Sequence, residues 1–176
     1  NPFNPTGSSI TYSEFNQFSK KVPEDVIIVA DEAYIEFVRD DTVFNSLKNP
    51  LQDPRIVTLR TFSKAYGLAG FRVGYGIMDS EIAQILNRIR QPFNVNSLAQ
   101  VAAVAALDDE TFLNKSIQVA HDGLDFLADK LADLGIYSLP TQSNFLMLDL
   151  ETDATHVFEE MLKLGVIVRP MKSYGF

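Results

Sequence analysis

The chain has 176 residues, 46% of them apolar and 22% charged, a balance that suits a globular protein with a real core. Its formal net charge of -8 gives no long-range attraction for phosphate backbones or anionic lipid, so neither nucleic acid nor a membrane surface is an expected partner. The absence of cysteine excludes disulfides, thiolate catalysis and thiolate metal sites, and a cytoplasmic location fits.

From the N-terminus, Asn1 to Gly7 (Asn-Pro-Phe-Asn-Pro-Thr-Gly) is dense in turn formers and reads as a loop. Thr11 is a suitable N-cap for a helix through Lys21, with Glu14 as its capping-box partner. The β-branched run Val26 to Ala30 has the pattern of a strand buried on both faces of a parallel sheet, and it delivers Asp31 at its carboxyl end. A second strand, Ile56 to Leu59, leads into Thr61, Ser63 and Lys64, and a third, Val73 to Met78, follows Arg72. Helical patterns then run from Glu81 to Arg90, Ser97 to Leu107 and about Glu110 to Leu134, the last ending at Gly135 and long enough to bridge two domains. Beyond it, Asn144 to Leu150 reads as a strand, Ala154 to Leu164 as an amphipathic helix and Val166 to Val168 as another strand.

This order predicts an α/β fold, a mostly parallel sheet with flanking helices, followed by a smaller C-terminal α+β domain. We expect residues 1–115 to form part of the larger unit and 116–176 the long connecting helix and part of the smaller one. No apolar run is long enough to span a bilayer, and no targeting signal is visible. The chain opens on Asn1-Pro2 without a methionine and stops at Gly175-Phe176 after a strand-like run, so a fragment is expected.

In an open α/β sheet, ligands sit at the carboxyl ends of the strands, which would bring Asp31 and Lys64 into one crevice. Arg72 opens the third strand, so that strand must run antiparallel to the second if Arg72 is to reach the same edge. His121 and His156 lie on helical stretches at no spacing useful for a metal, and no metal site is expected.

Asn4-Pro5-Thr6-Gly7, Asp31-Glu32-Ala33-Tyr34, Thr61-Phe62-Ser63-Lys64 and Arg72 together resemble the signature set of the class I and II pyridoxal-phosphate aminotransferases, in order and in spacing. The resemblance covers essentially the whole chain, and only about half of a normal enzyme of this type. It implies that residues 1–115 are part of a large cofactor-binding domain with pyridoxal 5'-phosphate as cofactor. Lys64 would be the amine that holds the cofactor and moves the substrate proton, and Asp31 the carboxylate that keeps the ring nitrogen protonated. Asn4 and Tyr34 would donate to the ring oxygen, while Ser63 and Arg72, with Thr61, would hold the phosphate. Thr61 is equally suited to satisfying nearby backbone groups, and Glu32 has no obvious cofactor role and reads as structural.

Arg90-Gln91-Pro92-Phe93-Asn94-Val95-Asn96-Ser97-Leu98-Ala99-Gln100, Ser143-Asn144-Phe145 and Gly165-Val166-Ile167-Val168-Arg169-Pro170 are similar to the histidinol-phosphate aminotransferase branch. Members of that branch exchange an amino group between histidinol phosphate and 2-oxoglutarate in histidine biosynthesis. The resemblance implies a small-molecule amino donor and a 2-oxo acid as partners, a homodimer, and Asn144 and Arg169 near the substrate. Three other readings stand beside it: a decarboxylase of threonine phosphate built on the same Lys64 and Asp31, another amino-acid aminotransferase of the same fold, and an inactive dimerising scaffold.

Overall fold

The computed structural model describes residues 1–175. After the N-terminal loop, helix α1 (Tyr12–Ser19) starts at the expected cap. The Thr11 hydroxyl accepts from the Glu14 N–H, and the Glu14 carboxylate accepts from the Thr11 N–H at 2.7 Å. Strands β1 (Ile28–Asp31), β2 (Ile56–Thr61) and β3 (Gly74–Ile77) form a sheet in that spatial order. β1 and β2 are parallel, with Asp31 opposite Leu59, and β2 and β3 are antiparallel, with Thr61 opposite Gly74. The reversal of β3 is the one that Arg72 required.

Helices α2 (Ser80–Ile89), α3 (Ser97–Asp108) and α4 (Glu110–Asp133) follow, capped by the side chains of Asp79, Asn96 and Asp109. A two-stranded antiparallel ribbon of β4 (Tyr137–Ser138) and β5 (Leu148–Asp149) and helix α5 (Ala154–Lys163) complete the chain.

Three apolar clusters hold these elements. On one side of the sheet, Ile28 and Ala30 meet Phe15 of α1 and Phe44, whose rings stack with centroids 3.9 Å apart. Phe62 and Val73 pack on Ala99 and Ala103 of α3. Tyr34, Phe37 and Ala65 pack against Leu113, Ile117 and Ala120 of α4 and against Phe145. Arg55 ties the start of β2 to the end of α1. Its guanidinium pairs with Asp53 and donates to the carbonyls of Ser19, Val22 and Pro23.

The structure corrects the sequence reading at three places. β1 is not covered on both faces: Ile28 and Ala30 are buried, whereas Val29 is 57% exposed, because α1 and Phe44 pack on one side only. The strand expected over Asn144 to Leu150 pairs only at Leu148–Asp149. Upstream, the Thr141 hydroxyl accepts from the Ser143 N–H, a local bond that competes with a ladder. Val166 to Val168 forms no strand. The Val166 N–H is used to close α5, donating to the Met161 carbonyl while Gly165 takes the left-handed conformation. Among the described residues no helix is long and apolar enough to cross a membrane.

Candidate functional site

β1 and β2 run parallel, so both end at one edge of the sheet, and β3 begins there. A cleft of about 400 Å³ opens at that edge, and Asp31, Thr61, Ser63, Lys64 and Arg72 all line it. Local structure explains how each side chain arrives. The Asp31 carboxylate accepts from the Ala33 N–H at 3.0 Å, which turns the chain as it leaves β1. After β2 the chain makes a compact loop in which Gly67 N–H donates to the Lys64 carbonyl and Leu68 N–H to the Phe62 carbonyl. Phe62 and Ala65 are buried, the first against α3 and the second against α4. With those two anchored, Ser63 and Lys64 face the cleft. The Thr61 hydroxyl accepts from the Ser63 N–H at 3.0 Å and so helps to set that turn.

Lys64 Nζ lies 5.2 Å from the centre of the Tyr34 ring, a cation–π distance, and has no ion-pair partner among the described residues. The Tyr34 ring is buried, edge-on to Phe145 with centroids 5.3 Å apart. Asn4 Nδ2 donates to the Tyr34 hydroxyl at 2.8 Å, so the N-terminal loop reaches the same site. Because Tyr34 Oη accepts that bond, its own proton is left to donate elsewhere. Arg72 is exposed, in the left-handed region at φ 56°, and one of its guanidinium nitrogens donates to the Ala69 carbonyl at 2.7 Å.

Four of the candidates, Asn4, Tyr34, Asn144 and Arg169, are not among the residues that line the cleft. Asn144 is exposed in the bend next to Phe145, which brings its backbone near Tyr34. Arg169 is exposed on the extended segment after α5, with no hydrogen-bond partner among the described residues. His121 is half-buried and bonded to the Phe37 carbonyl at 2.8 Å, a packing role. No group of acidic or histidine side chains among the described residues could hold a metal.

Bordering the cleft is a charged cluster whose Arg60 contributes to the lining. Glu32 is completely buried and accepts two hydrogen bonds from Arg60, at 3.0 and 2.7 Å. Glu36 Oε1 stands 4.0 Å from the same guanidinium and has no hydrogen-bond partner among the described residues. Burial pushes the Glu36 carboxyl above its ordinary range, with Arg60 pulling the other way. Burial likewise raises the Tyr66 phenol, and Glu36 adds to the shift. Arg60 gave no sequence signal, because a lone arginine inside a strand looks like any solvated cation.

A family model described as aminotransferase class I and II matches residues 1–176. Histidinol-phosphate aminotransferase 2 of Carboxydothermus hydrogenoformans is 48% identical over 99% of this chain and 49% of its own length. Histidinol-phosphate aminotransferase of Bdellovibrio bacteriovorus is also 48% identical, over the whole chain and 48% of its length. Among solved structures, histidinol-phosphate aminotransferase from Sinorhizobium meliloti in complex with pyridoxal-5'-phosphate superposes with a TM-score of 0.87 at 32% identity. That match covers 96% of this chain and 47% of that one. The chain therefore spans about half the length of the relatives it matches.

Proposed function

The chain belongs to the class I and II aminotransferases, and on that premise we propose that the whole protein is a pyridoxal-phosphate-dependent histidinol-phosphate:2-oxoglutarate aminotransferase of histidine biosynthesis. The observation that carries the reading is the convergence of Asp31, Ser63, Lys64 and Arg72 on one cleft from three different strands. The donor set fits the cofactor: an amine without a counter-ion, a carboxylate, and a hydroxyl and guanidinium able to bind an anion. When bound, the cofactor supplies an electron sink for the pair left on the substrate Cα as its proton departs.

The chain's own residues do the rest. Lys64 would hold the cofactor through Nζ and, once freed by substrate, would take the proton from the substrate Cα and deliver it to the cofactor carbon that receives the amino group. Asp31 keeps a proton on the ring nitrogen by placing a carboxylate opposite it. Tyr34, supported by Asn4, donates to the ring oxygen. Ser63 and Arg72 hold the phosphate, with Thr61 orienting Ser63 through its N–H. Asn144 and Arg169 bind substrate, a guanidinium suiting the anionic group of an amino-acid phosphate or a 2-oxo acid.

Two finer proposals go with this. The large cofactor-binding unit takes in residues 1–115 and the smaller unit begins at 116. The protein is a homodimer to which the loop at Asn94 contributes, supported by the nearly full exposure of the neighbouring Phe93. Sedimentation of the full-length protein checks the second. The function itself is tested by product analysis on the full-length protein with cofactor, histidinol phosphate and 2-oxoglutarate. Glutamate formation is the expected result; carbon dioxide release from threonine phosphate in a parallel assay, without amino transfer from histidinol phosphate, would replace the reading with a decarboxylase, and no turnover of either substrate would leave the scaffold.

A further inference from the structure

We infer that Arg60 and Glu32 are positioning residues for the proposed reaction, their buried ion pair setting the spacing between the strand end that carries Asp31 and the one that carries Thr61, Ser63 and Lys64. This deepens the aminotransferase reading and rests on it. Glu32 directly follows Asp31, and Arg60 directly precedes Thr61. Successive residues of an extended chain point to opposite sides, so Glu32 and Arg60 leave their backbones opposite to Asp31 and Thr61, while Arg60 still contributes to the lining of the cleft.

The pairing is directional at Arg60 Nε and Nη2 and at both Glu32 oxygens. Glu32 Oε2 accepts from Arg60 Nε and Nη2, Glu32 Oε1 accepts from the Ser46 N–H at 2.7 Å, and Arg60 Nη2 also donates to Asn45 Oδ1 at 2.9 Å. The Glu32 N–H donates to the Leu59 carbonyl at 2.9 Å, prolonging the β1–β2 ladder to the residue before Arg60. Arg60 sits on the central strand and is paired with Tyr75 of β3, so one residue ties the ends of all three strands. Its Nη1 lies 4.0 Å from Glu36 Oε1 without a hydrogen bond, so the guanidinium is fastened to the start of the Tyr34 turn through Glu32.

Stability alone is a poor reason for this arrangement. Taking a guanidinium and a carboxylate out of water costs roughly what their attraction returns, and apolar replacements of similar volume are often neutral or better. What apolar side chains lack is a fork of hydrogen bonds at fixed length and angle, which is what holding Lys64 and Asp31 at a constant separation needs.

The test uses the full-length, cofactor-loaded protein. Arg60→Lys keeps the charge and loses the fork; Glu32→Leu with Arg60→Met removes both charges. Melting temperature, kcat and KM per bound cofactor, and the pH dependence of the bound-cofactor absorbance are measured for each. Arg60→Lys should fold and load, with kcat reduced on the order of tenfold to a hundredfold and the absorbance profile displaced along the pH axis. In the double variant the melting temperature should return to near that of the parent while kcat stays low. A kcat within about twofold of the parent in Arg60→Lys, or recovery of kcat together with stability in the double variant, would overturn the inference. If the double variant does not fold, Arg60→Lys decides. An unmutated protein that binds cofactor yet transfers no amino group would sink the functional reading first, and this inference with it.

Discussion

Lys64 Nζ stands over the Tyr34 ring without an ion-pair partner among the described residues, and we propose it as the amine that holds the cofactor. Borohydride reduction of the full-length holoprotein should fix the cofactor on the peptide containing Lys64; label on Lys115 or any other lysine would reject the assignment. Asp31→Ala removes the carboxylate proposed to face the ring nitrogen and should lower kcat by about a hundredfold or more, at roughly 1.36 kcal/mol per tenfold. A rate within about threefold of the parent would reject that role. Glu36 makes a pH-dependent prediction. Burial raises its carboxyl, Arg60 opposes this and Glu32 reinforces it, so the folded protein holds the Glu36 proton more tightly than the unfolded chain does. The resulting stability is fully present below the unfolded pKa and is lost as pH rises through the raised folded value. Glu36→Gln abolishes that loss, so its stability relative to the parent should climb as pH rises from below the ordinary carboxyl range. Urea titrations of both proteins at a series of pH values check this, and a pH-independent difference between them would remove the claim.

At the level of elements, the cap of α1 was legible because its signal spans only a few residues: Thr11 and Glu14 form the predicted box. Thr11→Ala should cost ~1 kcal/mol of stability, measured by urea unfolding, and a cost below about 0.3 kcal/mol would mean that α1 is held by Phe15 alone. The short C-terminal strands were read poorly for a matching reason. A strand needs a partner to accept its hydrogen bonds, and local patterning at Val166 to Val168 says nothing about whether one is there.

Across the molecule, the N-terminal loop and the segment after β4 meet. Gly7 has φ 75°, its carbonyl accepts from the Gln142 N–H at 2.9 Å, and a Cβ at this position would collide with the Thr141 side chain. Gln142 Oε1 in turn accepts from the N–H groups of Arg39 and Asp40, while Phe145 packs on Tyr34. The part of the chain after α4 is thus fastened to the loop that carries Asn4 and to the turn that carries Tyr34. Gly7→Ala should cost about 1 to 3 kcal/mol in stability through strain and displacement. It should also weaken cofactor affinity by shifting Asn4, read from an absorbance titration of the full-length protein. An unchanged dissociation constant would show that the Asn4 loop can move without consequence for the site.

The amino-acid sequence by itself determined the chemistry available and the edge at which it collects. A glycine-proline loop, two β-branched runs each followed by polar groups, and an arginine opening a third strand are local patterns; of the crevice expected to hold Asp31, Tyr34, Ser63, Lys64 and Arg72, all but Tyr34 line the observed cleft. Only the tertiary structure decided that Glu32 and Arg60 lock at the border of that cleft, that Arg55 clamps α1 to β2, and that Gln142 and Phe145 reach back to the N-terminal loop and Tyr34. Each of these pairs residues far apart in the chain. Their partners are chosen by packing and by the need to satisfy buried polar groups, conditions that exist only once the whole core is assembled.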